Sequence, residues 1–227
     1  PDTFTIIQGV KVGDAILPQH IGVNVYHSDL EKDGFYPAKG LEKNKPLPAK
    51  GVINGLKTQR KLRPGNKEDN FKISLYEGEY NAGGTRAELN EHVYDYIITG
   101  DDVPRLLPEN SDIDLTISID RSGQLSIKVY IPILDHTFEA KVPRDQRQKE
   151  ISVQWLTKEI GDSKNQTLEL IDKNEQKDEL RKLLSQFNEL DDQLKQAPND
   201  SDRNKQVLDI LRKNLIKLDR IKEDFEW

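Results

Sequence analysis

The sequence predicts a β-sandwich followed by an α-helical hairpin, an all-β domain with an all-α subdomain behind it, on three observations. Up to about residue 145 the chain holds most of its glycine and proline, together with several runs in which apolar and polar residues alternate. That period of two belongs to strands buried on one face. From about residue 146 the apolar spacing lengthens to three and four, the spacing of a helix with one buried stripe. Between two such stripes stands Ala197-Pro198-Asn199-Asp200-Ser201, where Pro ends one helix and Asp200 or Ser201 can cap the next through a side-chain oxygen.

Taken in order, residues 32–50 are rich in Lys, Gly and Pro and read as a long loop, and the charged residues 59–69 read likewise; neither is expected to carry order of its own. Phe71, Ile73 and Leu75 form one strand face, ended by Glu77-Gly78. Gly83-Gly84-Thr85 reads as a hairpin turn, lacking the lysine and helix that follow in a phosphate-binding loop. Tyr94, Tyr96 and Ile98 precede Gly100 and Pro104. The clearest alternation places Ile113, Leu115, Ile117 and Ile119 on one face, against Asp114, Thr116, Ser118 and Asp120 on the other. Leu125, Ile127 and Val129 continue it after Arg121-Ser122-Gly123, which predicts a β-hairpin with Gly at its turn. Several short strands with turns between them suggest a sandwich. Residues 148–160, with Trp155, Leu156 and Ile160, form a shorter amphipathic piece suited to a hinge. The helical stripes then run Leu180, Leu183, Leu184, Phe187, Leu190, Leu194 and Leu208, Leu211, Leu215, Leu218, an antiparallel hairpin.

Composition bounds the function. Hydrophobic residues are 34% and charged ones 33% of 227, so a thin core or an elongated shape is expected. The net charge of −6, from 40 acidic and 34 basic residues interspersed, offers no positive field for a phosphate backbone, which argues against nucleic acid as a partner. Without cysteine there is no disulfide, thiolate chemistry or cysteine-ligated metal. No apolar run approaches the ~18 residues of a membrane-spanning helix and no export pattern opens the chain, so no membrane association and a cytoplasmic location are expected. The start at Pro1-Asp2-Thr3 and the lack of methionine suggest a piece of a longer protein.

Catalytic constellations are hard to assemble. Asp114 and Asp120 alternate on a strand's polar face, where solvation explains them better than paired acid and base work. His20, His27, His92 and His136 stand apart without metal-ligand spacing. Asn165-Gln166-Thr167 fits the glycosylation triplet, a pattern with little meaning outside a secretory context. The leucine stripes are better suited to packing on each other than to a foreign helix.

Three segments resemble, in wording, order and approximate spacing, the substrate-binding sandwich of the seventy-kilodalton heat-shock chaperones: Ile73-Ser74-Leu75-Tyr76-Glu77-Gly78-Glu79-Tyr80, then Tyr96-Ile97-Ile98-Thr99-Gly100, then the run from Ile113 to Ile127. Pro18-Gln19-His20-Ile21-Gly22-Val23 is similar to the family's first strand, and Pro46-Leu47-Pro48 to its Ile-Pro step into a later one. A helical hairpin after the sandwich is where that family carries its lid. The resemblance implies a linker-like segment at 1–13, with a faint echo of the family's leucine run in Ile6-Ile7 and Asp14-Ala15-Ile16-Leu17, a peptide-binding β-sandwich at 14–147 and a helical lid at 148–227.

By that resemblance the chain is the substrate-binding half of an ATP-dependent chaperone. Loops at one end of the sandwich would hold an extended peptide by main-chain hydrogen bonds and bury its apolar side chains in a pocket, while a preceding domain would bind and hydrolyse ATP. The implied peptide-binding residues are Ile21 and Val23 in the first strand, Phe71 and Ile73 in a later one, and Leu62 and Pro64 in a loop arching over the peptide; each is equally a candidate for plain core packing. No catalytic residue, metal or cofactor is expected in this region itself. The partners implied are unfolded or extended apolar peptides and co-chaperones. An alternative is a non-catalytic scaffold that binds a folded partner or self-associates through its helices; a hydrolase would need paired carboxylates in a cleft.

Overall fold

The computed structural model describes residues 15–27, 32–80, 82–83, 85–143, 151–173 and 177–225. The linker-like segment at 1–13, with Ile6-Ile7, and also Asp14, Gly84 and residues 148–150 lie outside them. By contacts the chain forms two compact units, Pro1–Arg147 and Gln148–Trp227.

Among the described residues the first unit has eight strands: β1 (His20–His27), β2 (Lys32–Pro37), β3 (Ala49–Lys57), β4 (Asn70–Gly78), β5 (Glu91–Thr99), β6 (Asp112–Ile119), β7 (Leu125–Ile131) and β8 (His136–Lys141). They make two antiparallel four-stranded sheets, ordered β2-β1-β4-β5 and β3-β6-β7-β8. The predicted alternation fixes the register of the second sheet: Leu115 pairs with Val129 and Ile117 with Ile127, so all four side chains reach the same face and are buried. Val23 and Leu75, paired across β1 and β4, enter the same core from the other sheet. Each such side chain taken fully from water contributes roughly 1.5–3 kcal/mol, which is how a chain poor in apolar residues holds two sheets together.

At the β6–β7 hairpin, Gly123 takes φ +78° and Asp120 accepts hydrogen bonds from the Ser122 and Gln124 backbone amides and the Ser122 hydroxyl. A bulge interrupts β3: Ile53 pairs with Leu115 and Leu56 with Ile113, leaving Asn54 and Gly55 opposite a single residue. Side chains three positions apart in a regular strand face opposite ways, yet the extra residue lets both Ile53 and Leu56 pack against the core.

Residues 32–50, expected to be a loop, instead contain β2 and the start of β3; Phe35 in β2 and Ala38 and Leu41 after it are buried. One anchoring side chain per few residues suffices to order the segment, and its Lys, Gly and Pro content concealed this. Phe35 sits next to Tyr36, which pairs with core-facing Val23, and so points to the opposite face. There its ring lies over Gly22, and its backbone pairs with Thr85 in the β4–β5 connection, which buries Ala87 and Leu89.

Among its described residues the second unit holds three helices that pack on one another, α1 (Val153–Lys173), α2 (Lys177–Gln196) and α3 (Ser201–Phe225). The leucine stripes of α2 and α3 are buried apart from the half-buried Leu184, and Asp200 caps α3 by accepting from the Arg203 amide. Of the short hinge expected at 148–160, residues 153–160 begin a 21-residue helix. Its buried stripe runs Leu156, Ile160, Ser163, Thr167, and the two hydroxyls satisfy themselves on carbonyls one turn back, Ser163 on Glu159 and Thr167 on Ser163. The Asn165 triplet lies within this helix, with Thr167 buried and Asn165 exposed. Among the described residues no helix is long and apolar enough to cross a membrane.

Candidate functional site

The ladder between β1 and β4 ends at Asn24 opposite Ser74. Beyond it, β1 continues against β2 through Val25–Gly34, Tyr26–Asp33 and His27–Lys32, while β4 continues against β5 through Ile73–Tyr96, Lys72–Ile97, Phe71–Ile98 and Asn70–Thr99. The two hairpins therefore part, and a cleft of about 380 Å³ opens beside the fork. Val25 lines one bank; Phe71 and Ile73 line the other. Leu56 at the end of β3, the following Thr58 to Arg60, and Ile113 of β6 complete the walls. That size lies in the range of small-ligand and side-chain pockets.

The loop beside the cleft is fixed, contrary to the expectation that residues 59–69 carry no order. Thr58 exchanges backbone hydrogen bonds with Ser111 and Asn110, and its hydroxyl bridges the Pro108 carbonyl and the Ser111 amide. Leu62 is fully buried and pairs with Leu107 through two backbone bonds of 2.9 Å. Gly100 donates to the Asp69 carbonyl and accepts from Gly65, and an added Cβ there would lie 2.2 Å from the Arg63 carbonyl oxygen. Asp69 accepts from the Arg63 backbone and guanidinium, and these bonds hold its carboxyl at a pKa of about 2. Charged residues hid this order because only Leu62 in the loop is apolar and buried.

Of the residues expected to bind peptide, Phe71 and Ile73 line the cleft, Phe71 half-buried and Ile73 buried. Ile21, Val23 and Leu62 lie in the sandwich core, and Pro64 is exposed on the loop. Sequence reading passed over Val25, Leu56 and Ile113. Val25 continues the Ile21, Val23 alternation and Ile113 opens the one in β6, so both were in view; Leu56 breaks period and is brought in only by the bulge.

Polar side chains share these walls, Asn24, Lys57, Arg60 and Asn70 among them. Ser74, Lys72 and Tyr76 reach the cleft, and His92 Nε2 lies 2.7 Å from Asp95 Oδ1. Burial works to raise the Asp95 carboxyl, but hydrogen bonds from His92 and Ser74 outweigh it and hold the group below its ordinary value. Burial, reinforced by Glu88 and Asp95, pushes the Tyr76 hydroxyl up to about 12. His92 thus has a carboxylate partner three residues on, which the sequence reading had not paired. Among the described residues no three His, Asp or Glu side chains gather as a metal site. The arrangement as a whole offers strand edges and a mixed lining in which Val25, Leu56, Phe71, Ile73 and Ile113 supply the apolar part; free strand edges are the element by which a protein adds an extended segment to a sheet.

Compared with known protein families and curated proteins, the chain matches no family model and no curated sequence.

Proposed function

We propose that the sandwich binds extended, apolar peptide segments in the cleft beside the β1–β4 fork, as the substrate-binding part of an ATP-dependent chaperone. The observation that supports this most is the fork itself: two strand ends leave a shared ladder with apolar side chains between them. A peptide laid along β4 would exchange main-chain hydrogen bonds with residues 70–73 and drop one or two side chains toward Val25, Leu56 and Phe71. Main-chain pairing tolerates many sequences, and the apolar side chains among the lining residues favour hydrophobic ones, so the expected preference is broad and hydrophobic.

The resemblance of three ordered segments to the heat-shock chaperones adds the rest of the proposal. The helical unit acts as the lid that slows peptide release, and ATP binding and hydrolysis belong to a separate domain of the same machine, in the cytoplasm, with co-chaperones as further partners. The region catalyses nothing itself. Ile21, Val23 and Leu62 then support the cleft from the core, where Phe71 and Ile73 meet the peptide.

Amide hydrogen exchange with and without a saturating Leu-rich peptide tests the binding mode. Slower exchange confined to residues 70–73 and 25–27 is the expected outcome. Protection located only on the helices would replace this reading with a scaffold that engages partners through its helical unit.

A further inference from the structure

Asn54 and Gly55 form the only Asn-Gly pair in the chain, and they occupy the bulge of β3, an edge strand. The ladder passes over both residues, pairing Ile53 and then Leu56. Asn54 is exposed, and Gly55 holds φ +76° with open space where a side chain would be: an added Cβ would meet no atom within 4 Å. Gly supplies that left-handed conformation without strain and leaves its own amide nitrogen sterically open.

We propose that Asn54 is a site of spontaneous covalent modification through a cyclic imide. The Gly55 backbone nitrogen loses its proton to base and attacks Cγ of the Asn54 side chain. A new N–Cγ bond forms, the Cγ–Nδ2 bond breaks, and ammonia leaves carrying the proton, so a succinimide replaces the amide. Water then opens the ring at either carbonyl, giving aspartate or isoaspartate with no change of oxidation state.

The bulge makes the position consequential. Isoaspartate routes the main chain through the former side-chain carbon, adding one backbone atom between Ile53 and Leu56. Those two residues face the core only because the bulge contributes the right number of residues, so the product shifts the register that carries Leu56 to the cleft. The other asparagines lack this combination; Asn44 and Asn110 have positive φ but precede Lys45 and Ser111, whose side chains crowd the attacking nitrogen.

The test is to hold the folded protein in mildly alkaline buffer and map tryptic segments over time. Segment 51–57 carries Asn54 as its sole asparagine, and segment 196–203 carries Asn199 as an internal reference. Asn54 should convert severalfold faster than Asn199, to a mixture of isoaspartate and aspartate, and Asn54→Gln should abolish the change because its ring would need six members. Conversion in the denatured chain but not in the folded one would overturn the proposal, since the bulge would then protect Asn54. Aspartate without isoaspartate would overturn it too, as the mark of direct hydrolysis.

Discussion

At the scale of single residues, the site depends on side chains that tie down the loop beside the cleft. Asp69 is the plainest case. Its hydrogen bonds from Arg63 lower the folded-state pKa to about 2, against roughly 3.9 in an unfolded chain. A depressed carboxylate contributes its stabilisation fully above the unfolded value and loses it as pH falls through the folded one. The loop that walls the cleft should therefore loosen between about pH 4 and pH 2, and an NMR titration of the Asp69 carboxyl should show a midpoint near 2 that moves up to the ordinary range in Arg63→Ala. An ordinary midpoint in the unsubstituted protein would remove this tie from the account. Sequence reading named Phe71 and Ile73, which do line the cleft, but could not separate them from Ile21, Val23 and Leu62. All five are apolar residues in strand or loop positions, and only the point at which β1 leaves β4 decides which of them meet open space.

At the scale of elements, legibility followed periodicity. Strands β4, β6 and β7 and helices α2 and α3 announce themselves because their apolar residues repeat without interruption. In β2, Phe35 alone marks a buried position amid Lys, Asp, Gly and Pro, and in β3 the bulge shifts the alternation by one. Helix α1 escaped because Ser163 and Thr167 occupy buried positions where its stripe would call for leucine. The β1–β2 hairpin also explains a glycine that sequence alone leaves mute. A Cβ at Gly22 would stand 2.3 Å from the Tyr36 carbonyl oxygen and 2.6 Å from the Phe35 ring. Gly22→Ala must push backbone apart or eject Phe35, and should cost about 1–3 kcal/mol in urea unfolding, as overpacked sites do. Since β1 borders the fork, the same variant should also weaken peptide binding; unchanged stability would mean that β2 adjusts freely and does not brace that bank of the cleft.

At the scale of the molecule, the fold class was legible from the switch in period near residue 146, and the two sheets and three helices bear it out. Position along the chain told less about the cleft, because its walls come from four strands separated by up to about ninety residues and meet only through sheet topology. The proposed function rests on that meeting: a forked sheet with free strand edges suits a ligand that is itself a strand. The most direct test is the anisotropy of a labelled, Leu-rich extended peptide titrated with the chain and with Phe71→Ala. Phe71 is half-buried, so the variant should keep the native circular dichroism spectrum. The account predicts saturable binding on the order of micromolar affinity, weakened about tenfold, or ~1.4 kcal/mol, by the substitution. No saturation at high micromolar concentration, or equal affinity for both proteins, would contradict it.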